Sequence, residues 1–371
     1  MDATTYQDYV NILHEELVPA MGCTEPIAIA YAAAVARQTL GRPAQRMEVE
    51  ASGNIIKNVK SVFVPNTGGL RGIPAAAAAG MAAGDPALEL EVLSSIGEGE
   101  QAAIRQYLAD TPIAVKLADS PFIFDIAIRA WAGEDSALVR IVNYHTNIVR
   151  VERNGQVLKE VEAQAAAEEG LTDKSVLTVE GILEFAREAA LADVEEAVGR
   201  QVRYNTAIAQ EGLRGDYGAN IGKVLLATYG DDVKIRAKAM AAAGSDARMN
   251  GCGLPVVIVS GSGNQGLTAS LPVVEYAKEL GADWETTLRA VLVSDLITIH
   301  LKAEIGRLSA YCGAVSAGCG SGAGIAWLYG REKEPQALLK DVSHTIVNAL
   351  AVDSGIVCDG AKASCAAKIA S

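Results

Sequence analysis

Between residues 46 and 160 the chain abandons the helical period of its flanks and alternates apolar with polar side chains, and this switch is what most restricts its fold. The segments RMEVEAS, NVKSVFVP, ALELEVL, IAVKLAD, FIFDIAIRAWA, SALVRIVNYH and NIVRVERNGQVL carry the alternation. They are rich in Val and Ile, and turns such as Asn154-Gly155 separate several of them. A helix or two cross this region, one of them GEQAAIRQYLAD, and PNTGGLRGIPAAAAAGMAAG reads as a Gly-rich loop leading into an Ala helix. On both sides the spacing is helical. Tyr9, Val10, Leu13, Leu17 and Val18 mark one helix, and Pro26 suits the first turn of a second that runs to residue 40. After residue 165 helical patterns return, with Thr178 as an N-cap and further helices near 184–210, 232–243, 267–280, 284–303 and 335–350.

The expected fold class is therefore α+β, an antiparallel sheet unit inserted after N-terminal helices plus a mainly helical domain. The expected divisions are 1–41, N-terminal helices packing on the catalytic domain; 42–165, the sheet domain; and 166–371, the helical catalytic domain. Half of the 371 residues are hydrophobic and 21% are charged, enough for a well-buried core. Aromatics are scarce, and abundant Ala and Gly predict closely packed helices.

The net charge of -13 repels nucleic acid and anionic lipid, and no basic cluster overrides it. No nucleic-acid partner and no membrane partner are expected. The N-terminus has no apolar signal core. Tyr311 to Gly330 is uncharged over 20 residues, but six are Gly, so it reads as a buried segment rather than a span. A cytoplasmic location is the expectation, and a homodimer is compatible with the sequence.

Four of the six cysteines, Cys312, Cys319, Cys358 and Cys365, crowd into the last 60 residues among Gly, Ser, Asp and Lys. Thiolates in Gly-rich loops suit an iron–sulfur cluster, whose inorganic core the backbone must bend around. Zinc ligation and inert buried thiols are the competing uses. The spacing is not that of a zinc finger, and no His lies close by in the chain. Ser260 to Gly266, SGSGNQG, follows an apolar run and can cradle an anion with its amides. A pyridoxal-phosphate dehydratase is an alternative reading of that loop, but only about 105 residues follow it. Cys23 stands just before a helix start, where the dipole would lower a thiol pKa, and Glu25 beside it adds an acid. Ser52 to Asn58, which includes Asn54, and Val64 to Gly69 read as turns able to hold a carboxylate.

Together these motifs resemble the L-cysteine desulfidase family, relatives of the iron–sulfur L-serine dehydratase alpha chain. The likeness runs from Gly22-Cys23-Thr24-Glu25-Pro26 through Gly53-Asn54, Asn250-Gly251-Cys252-Gly253 and Gly261 to Gly266. It ends in Gly306 to Gly320, Cys358-Asp359-Gly360-Ala361-Lys362 and Ser364 to Lys368. The resemblance implies a [4Fe-4S] cluster, with no pyridoxal phosphate, held by Cys312, Cys358 and Cys365 and leaving one iron open. It implies Cys23 as catalytic base with Glu25 beside it. Asn54, Ser262, Asn264, Gln265 and Lys362 are the expected contacts to a small amino-acid substrate. The implied activity is a lyase of amino-acid catabolism that converts cysteine to pyruvate, ammonia and sulfide. Serine is the alternative substrate, for which Glu25 or His300 would have to serve as acid at the leaving oxygen. A redox sensor or a cluster-free binding protein is the reading from another class.

Overall fold

In the computed structural model, residues 1–164, 171–306, 308–309, 311–358 and 360–371 are described. The expected domain boundary at 165/166 and the motif residues Arg307, Ala310 and Asp359 lie outside them. The chain is α+β, as its two periods require. Helix α1 (Ala3–Glu16) is capped by the Asp2 carboxylate, which accepts from Thr4 and Thr5 N–H. Strand β1 (Pro19–Met21) leads into α2 (Thr24–Leu40), buried over nearly its whole circumference. Its Ala-rich surface packs against the middle strands of the sheet that β2 (Arg46–Ala51) begins.

After α3 (Gly53–Val59) comes α4 (Gly72–Ala83), packed tightly on α2. The contact is set by Gly80, where a Cβ would stand 1.9 Å from the Ala30 carbonyl oxygen. Backbone on both sides cannot yield cheaply. Gly80→Ala is expected to lower unfolding free energy by about 1–3 kcal/mol, the usual cost of overpacking. A denaturation midpoint within error of the parent would refute this close-packing account.

Helix α5 (Glu98–Asp110) precedes β3 (Ile113–Leu117), β4 (Asp125–Ala132), β5 (Asp135–Val142), β6 (Ile148–Arg153) and β7 (Gln156–Glu160). The sheet order is β3-β2-β4-β5-β6-β7. Four of the five pairings are antiparallel as expected, whereas β2 and β3 pair in parallel, Met47 opposite Ile113. The long helical connection between them permits that geometry. NVKSVFVP and ALELEVL, expected as strands, are not. The first is the end of α3 and a turn. The second is a short 3-10 helix, Pro86–Glu91, initiated by Asp85 accepting from Ala87 N–H.

The rest is helical: α6 (Val179–Glu188), α7 (Leu191–Arg214), α8 (Ile221–Tyr229) and α9 (Val233–Met249). Strand β8 (Pro255–Val257) then leads to α10 (Gly263–Glu279), α11 (Trp284–Ala303), α12 (Gly313–Gly330), α13 (Pro335–Asp353) and α14 (Cys365–Ala370). Thr178 caps α6 as expected, its hydroxyl accepting from Gly181 N–H at 3.0 Å. The uncharged segment is α12, packed against α10, α11 and α13. No helix among the described residues is long and apolar enough to cross a membrane.

Two large hydrophobic cores result among the described residues, beside a small cluster of Cys23, Val62 and Met249. One joins the sheet, α2 and α4 to α9 and α10 through Met240, Ala247, Leu267 and Leu271. The other holds α1 with α6, α7, α11 and α13. The two N-terminal helices thus serve different bodies, α1 the helical one and α2 the sheet. Between them β1 pairs antiparallel with β8, Pro19 opposite Val257. Asn205 of α7 stands in for a further strand, donating to Val257 O and accepting from Val257 N–H at 2.9 Å. This ribbon sets the Cys23 turn beside the Gly-rich turn that opens α10.

Candidate active site

The ends of that ribbon open into a cavity. Its walls include Cys23, Thr24 and Glu25; Ser262, Asn264 and Gln265; and Cys312, Cys358 and Cys365. Of the residues singled out from sequence, Asn54 and Lys362 do not line it, and neither does His300. Asn58, one helical turn beyond Asn54 on α3, does.

Glu25 is the best-connected group. Its Oε1 accepts from Asn58 Nδ2 at 2.9 Å and its Oε2 from the Cys23 thiol at 3.0 Å. The Thr24 hydroxyl lies 3.0 Å from Gly261 O and 3.2 Å from Glu25 Oε2, and its one proton serves one of them. Burial alone would raise the carboxyl pKa. The charge of His145, the Cys23 thiol, the residue's own N–H and Asn58 outweigh it, and the result is lowered. Glu25 therefore rests as a carboxylate.

Cys23 goes the other way from the sequence expectation. Its pKa is raised well above 9.0, by burial first and then by the Glu25 charge, with Arg248 opposing. The helix start that was expected to lower it is present, but a thiol that is 3% exposed and faces a carboxylate stays protonated. Cys23 rests as the donor and Glu25 as the acceptor.

The three C-terminal cysteines come from separate pieces of chain. Cys312 is the N-cap of α12, and its N–H donates to Ile356 O at 3.0 Å. The Tyr311–Val357 bridge then holds the Cys312 turn beside Cys358. Cys365 opens α14, which packs on α9. Burial raises Cys312 and Cys365, while Lys368 lowers both and Lys302 also lowers Cys312. Cys319 lies within α12, 1% exposed and raised to about 11 by burial, and Cys252 touches Tyr217; neither lines the cavity.

Three long helices, α2, α10 and α12, point their N-termini at this cavity, and none has a side-chain cap. Away from it α1, α6, α9 and α11 are capped by Asp2, Thr178, Asp232 and Asp283, whereas α4, α7, α8 and α13 also lack a side-chain cap. Uncapped helix starts gather positive potential, and Arg248, Lys302 and Lys368 add charge to it. The wall is thus built to receive negative charge.

Such a wall and such donors fit an iron–sulfur cluster, an anion once its thiolates are counted. Cys312, Cys358 and Cys365 would hold it. Among the described residues no group of three or more His, Cys, Asp or Glu side chains converges to hold a metal ion. A cluster takes each thiolate on a separate iron and does not require that convergence.

Sequence reasoning missed Arg248, Lys302 and His145, and it took Asn58 for the end of a turn, whereas Asn58 stands on α3. Arg248 ends α9 next to Asn250-Gly251-Cys252, and a charged residue in an otherwise Ala-rich helix flank was the available signal. His145 comes from the loop after β5, 4% exposed and edge-on to Phe124 at 4.8 Å between ring centroids. Nothing in its local sequence distinguishes it.

A family model described as the serine dehydratase alpha chain matches residues 87–371. A UPF0597 protein of Desulfitobacterium hafniense is 58% identical over 365 residues, covering 98% of this chain and 84% of that protein. One from Lachnoclostridium phytofermentans is 53% identical, over 99% of this chain and 86% of its own. A third, from Treponema denticola, is 46% identical over the whole of this chain and 86% of its own.

Proposed function

This chain belongs to the serine dehydratase alpha-chain family, and from that premise we propose that it is an iron–sulfur lyase acting on a small β-substituted amino acid, with cysteine the preferred substrate. One observation carries the reading: Cys312, Cys358 and Cys365 share a cavity with the Cys23–Glu25 pair under three uncapped helix N-termini. Held by those three thiolates with one iron lacking a protein ligand, a [4Fe-4S] cluster would supply a Lewis acid for the leaving group. Pyridoxal phosphate has no part in it.

The protein's own work is proton transfer and orientation. The α-proton passes to the Cys23–Glu25 pair, which gains one proton as a unit: sulfur accepts from carbon while the thiol proton moves to Glu25. The β-substituent leaves with the bonding pair. From cysteine the products are sulfide and aminoacrylate, and water converts the latter to pyruvate and ammonia. Thiolate leaves more readily than hydroxide and is the softer iron ligand, which favours cysteine over serine.

The test is an anaerobic assay of reconstituted protein that follows pyruvate from each amino acid, with sulfide measured in parallel. A kcat/KM for serine equal to or above that for cysteine would overturn the preference. No turnover with the cluster intact would overturn the lyase reading.

His145 supplies a further check. His145→Gln removes a positive charge beside Glu25, so the carboxyl pKa rises. The acid limb of kcat/KM is then expected to move to higher pH. An unmoved limb would mean that His145 does not act on Glu25.

A further inference from the structure

Arg248 is 4% exposed, yet among the described residues no carboxylate pairs with it. Arginine is almost never buried without a partner. Its Nη1 donates to Asn264 Oδ1 at 3.0 Å and lies 3.3 Å from Met249 Sδ, while its Nε–H has no acceptor at all. Asn264 Oδ1 also accepts from Ser245 Oγ at 3.1 Å, which anchors the amide that holds the guanidinium. The guanidinium lies against the opening turn of α10. A Cβ on Gly263 would stand 2.3 Å from Nε, and only glycine allows the two to meet. An uncapped 17-residue helix start and an unpaired guanidinium thus face the same cavity.

In the wall of the same cavity stands a complementary orphan. Asn58 is 5% exposed, and its Nδ2 is committed to Glu25 Oε1. That bond fixes the amide's orientation, because a carboxylate accepts only from the NH2 end. The Oδ1 that remains is buried and has no donor. A buried cation without an anion and a buried acceptor without a donor, in one cavity, describe the two ends of a zwitterion.

We infer that Arg248 with the first turn of α10 binds the substrate's α-carboxylate and that Asn58 Oδ1 receives its α-ammonium, so that this site selects free α-amino acids. The inference rests on the proposed lyase reading and adds its specificity groups. Asn58 also touches Glu25, which puts the carbon between the carboxylate and the ammonium within the base's neighbourhood.

L-alanine, which has no leaving group, and ethylamine, which is alanine without its carboxylate, are the probes. Calorimetry on the reconstituted full chain, with iron content verified, measures the binding of each. L-alanine is expected to bind the parent and ethylamine not. Arg248→Gln is expected to weaken alanine about 10- to 100-fold, the loss of one charge-assisted pair, and Arg248→Lys to recover part of it. With cysteine as substrate the same variant raises KM by a similar factor and changes kcat little. Asn58→Leu, which is close in volume and removes the acceptor, is expected to weaken alanine binding about 10-fold, the worth of one hydrogen bond to a charged group. Failure of alanine to bind the parent, equal binding of ethylamine, or undiminished alanine binding by a folded Arg248→Gln chain would overturn the inference. Because calorimetry needs no turnover, an inactive enzyme whose alanine binding depends on Arg248 sinks the lyase reading and keeps this one.

Discussion

Serine in place of Cys358, in protein purified and reconstituted without oxygen, is expected to abolish cluster assembly and all turnover, and Cys312→Ser and Cys365→Ser to do the same. Cys252→Ser and Cys319→Ser should leave iron unchanged. The asymmetry follows from where the thiols stand. Cys312 and Cys358 are tied together by the Tyr311–Val357 bridge and the Cys312 N–H bond to Ile356, and Cys365 reaches the same wall from the start of α14. Cys319 is seven residues beyond Cys312, inside the same helix and among its packing contacts, so it cannot reach the cavity without unwinding α12. Alkoxide is a poor substitute for thiolate on iron, and a three-ligand site has no spare. Iron and acid-labile sulfide per chain are the readout. Iron lost in Cys319→Ser but kept in Cys312→Ser would reassign the third ligand.

That Cys312, Cys358 and Cys365 share one wall was legible because clustering and Gly-rich surroundings are properties of the sequence itself. So were the strands from Asp125 to Glu160, where alternation, β-branched residues and Asn-Gly turns agree. ALELEVL alternates just as clearly, yet it is a 3-10 turn. The Asp85 carboxylate captures Ala87 N–H and Pro86 presets the backbone, and these local bonds beat a period that buries Leu90, Val92 and Leu93 either way. The parallel β2–β3 pair was illegible for another reason: strand direction depends on the connection, and four intervening helical pieces carry no mark of where the chain returns. The deepest omission was Arg248. Its burial is decided by Gly263 and Asn264, residues of another helix, and a single helical Arg looks the same in sequence whether it faces water or a cavity. Cys23 shows the converse. Its place at a helix start was read correctly, but the desolvation and the Glu25 charge that govern its proton are tertiary effects.

Glu25→Gln carries the second large effect: kcat is expected to fall about 10²- to 10⁴-fold, the usual worth of a positioned base, with iron content and KM little changed. Glutamine keeps the length of the side chain and can still accept the Cys23 thiol proton as a hydrogen bond, but it cannot take that proton. Cys23, raised by burial, then has nowhere to send it when its sulfur accepts from carbon. The pH behaviour has a definite sign. The Glu25 pKa is lowered on folding, so its ionised form is present throughout the range above the ordinary carboxylate value. The stability it contributes is complete there and is lost only as pH falls through the folded value. Activity limited by this group should therefore persist at pH values where an ordinary glutamate would already be protonated. Exchange of the α-hydrogen of L-alanine in deuterated water isolates the step, since it needs the base and no leaving group. Proton nuclear magnetic resonance should show exchange in the parent and almost none in Glu25→Gln. Exchange within threefold of the parent would remove Glu25 from the proton path and leave Cys23 to act with another partner.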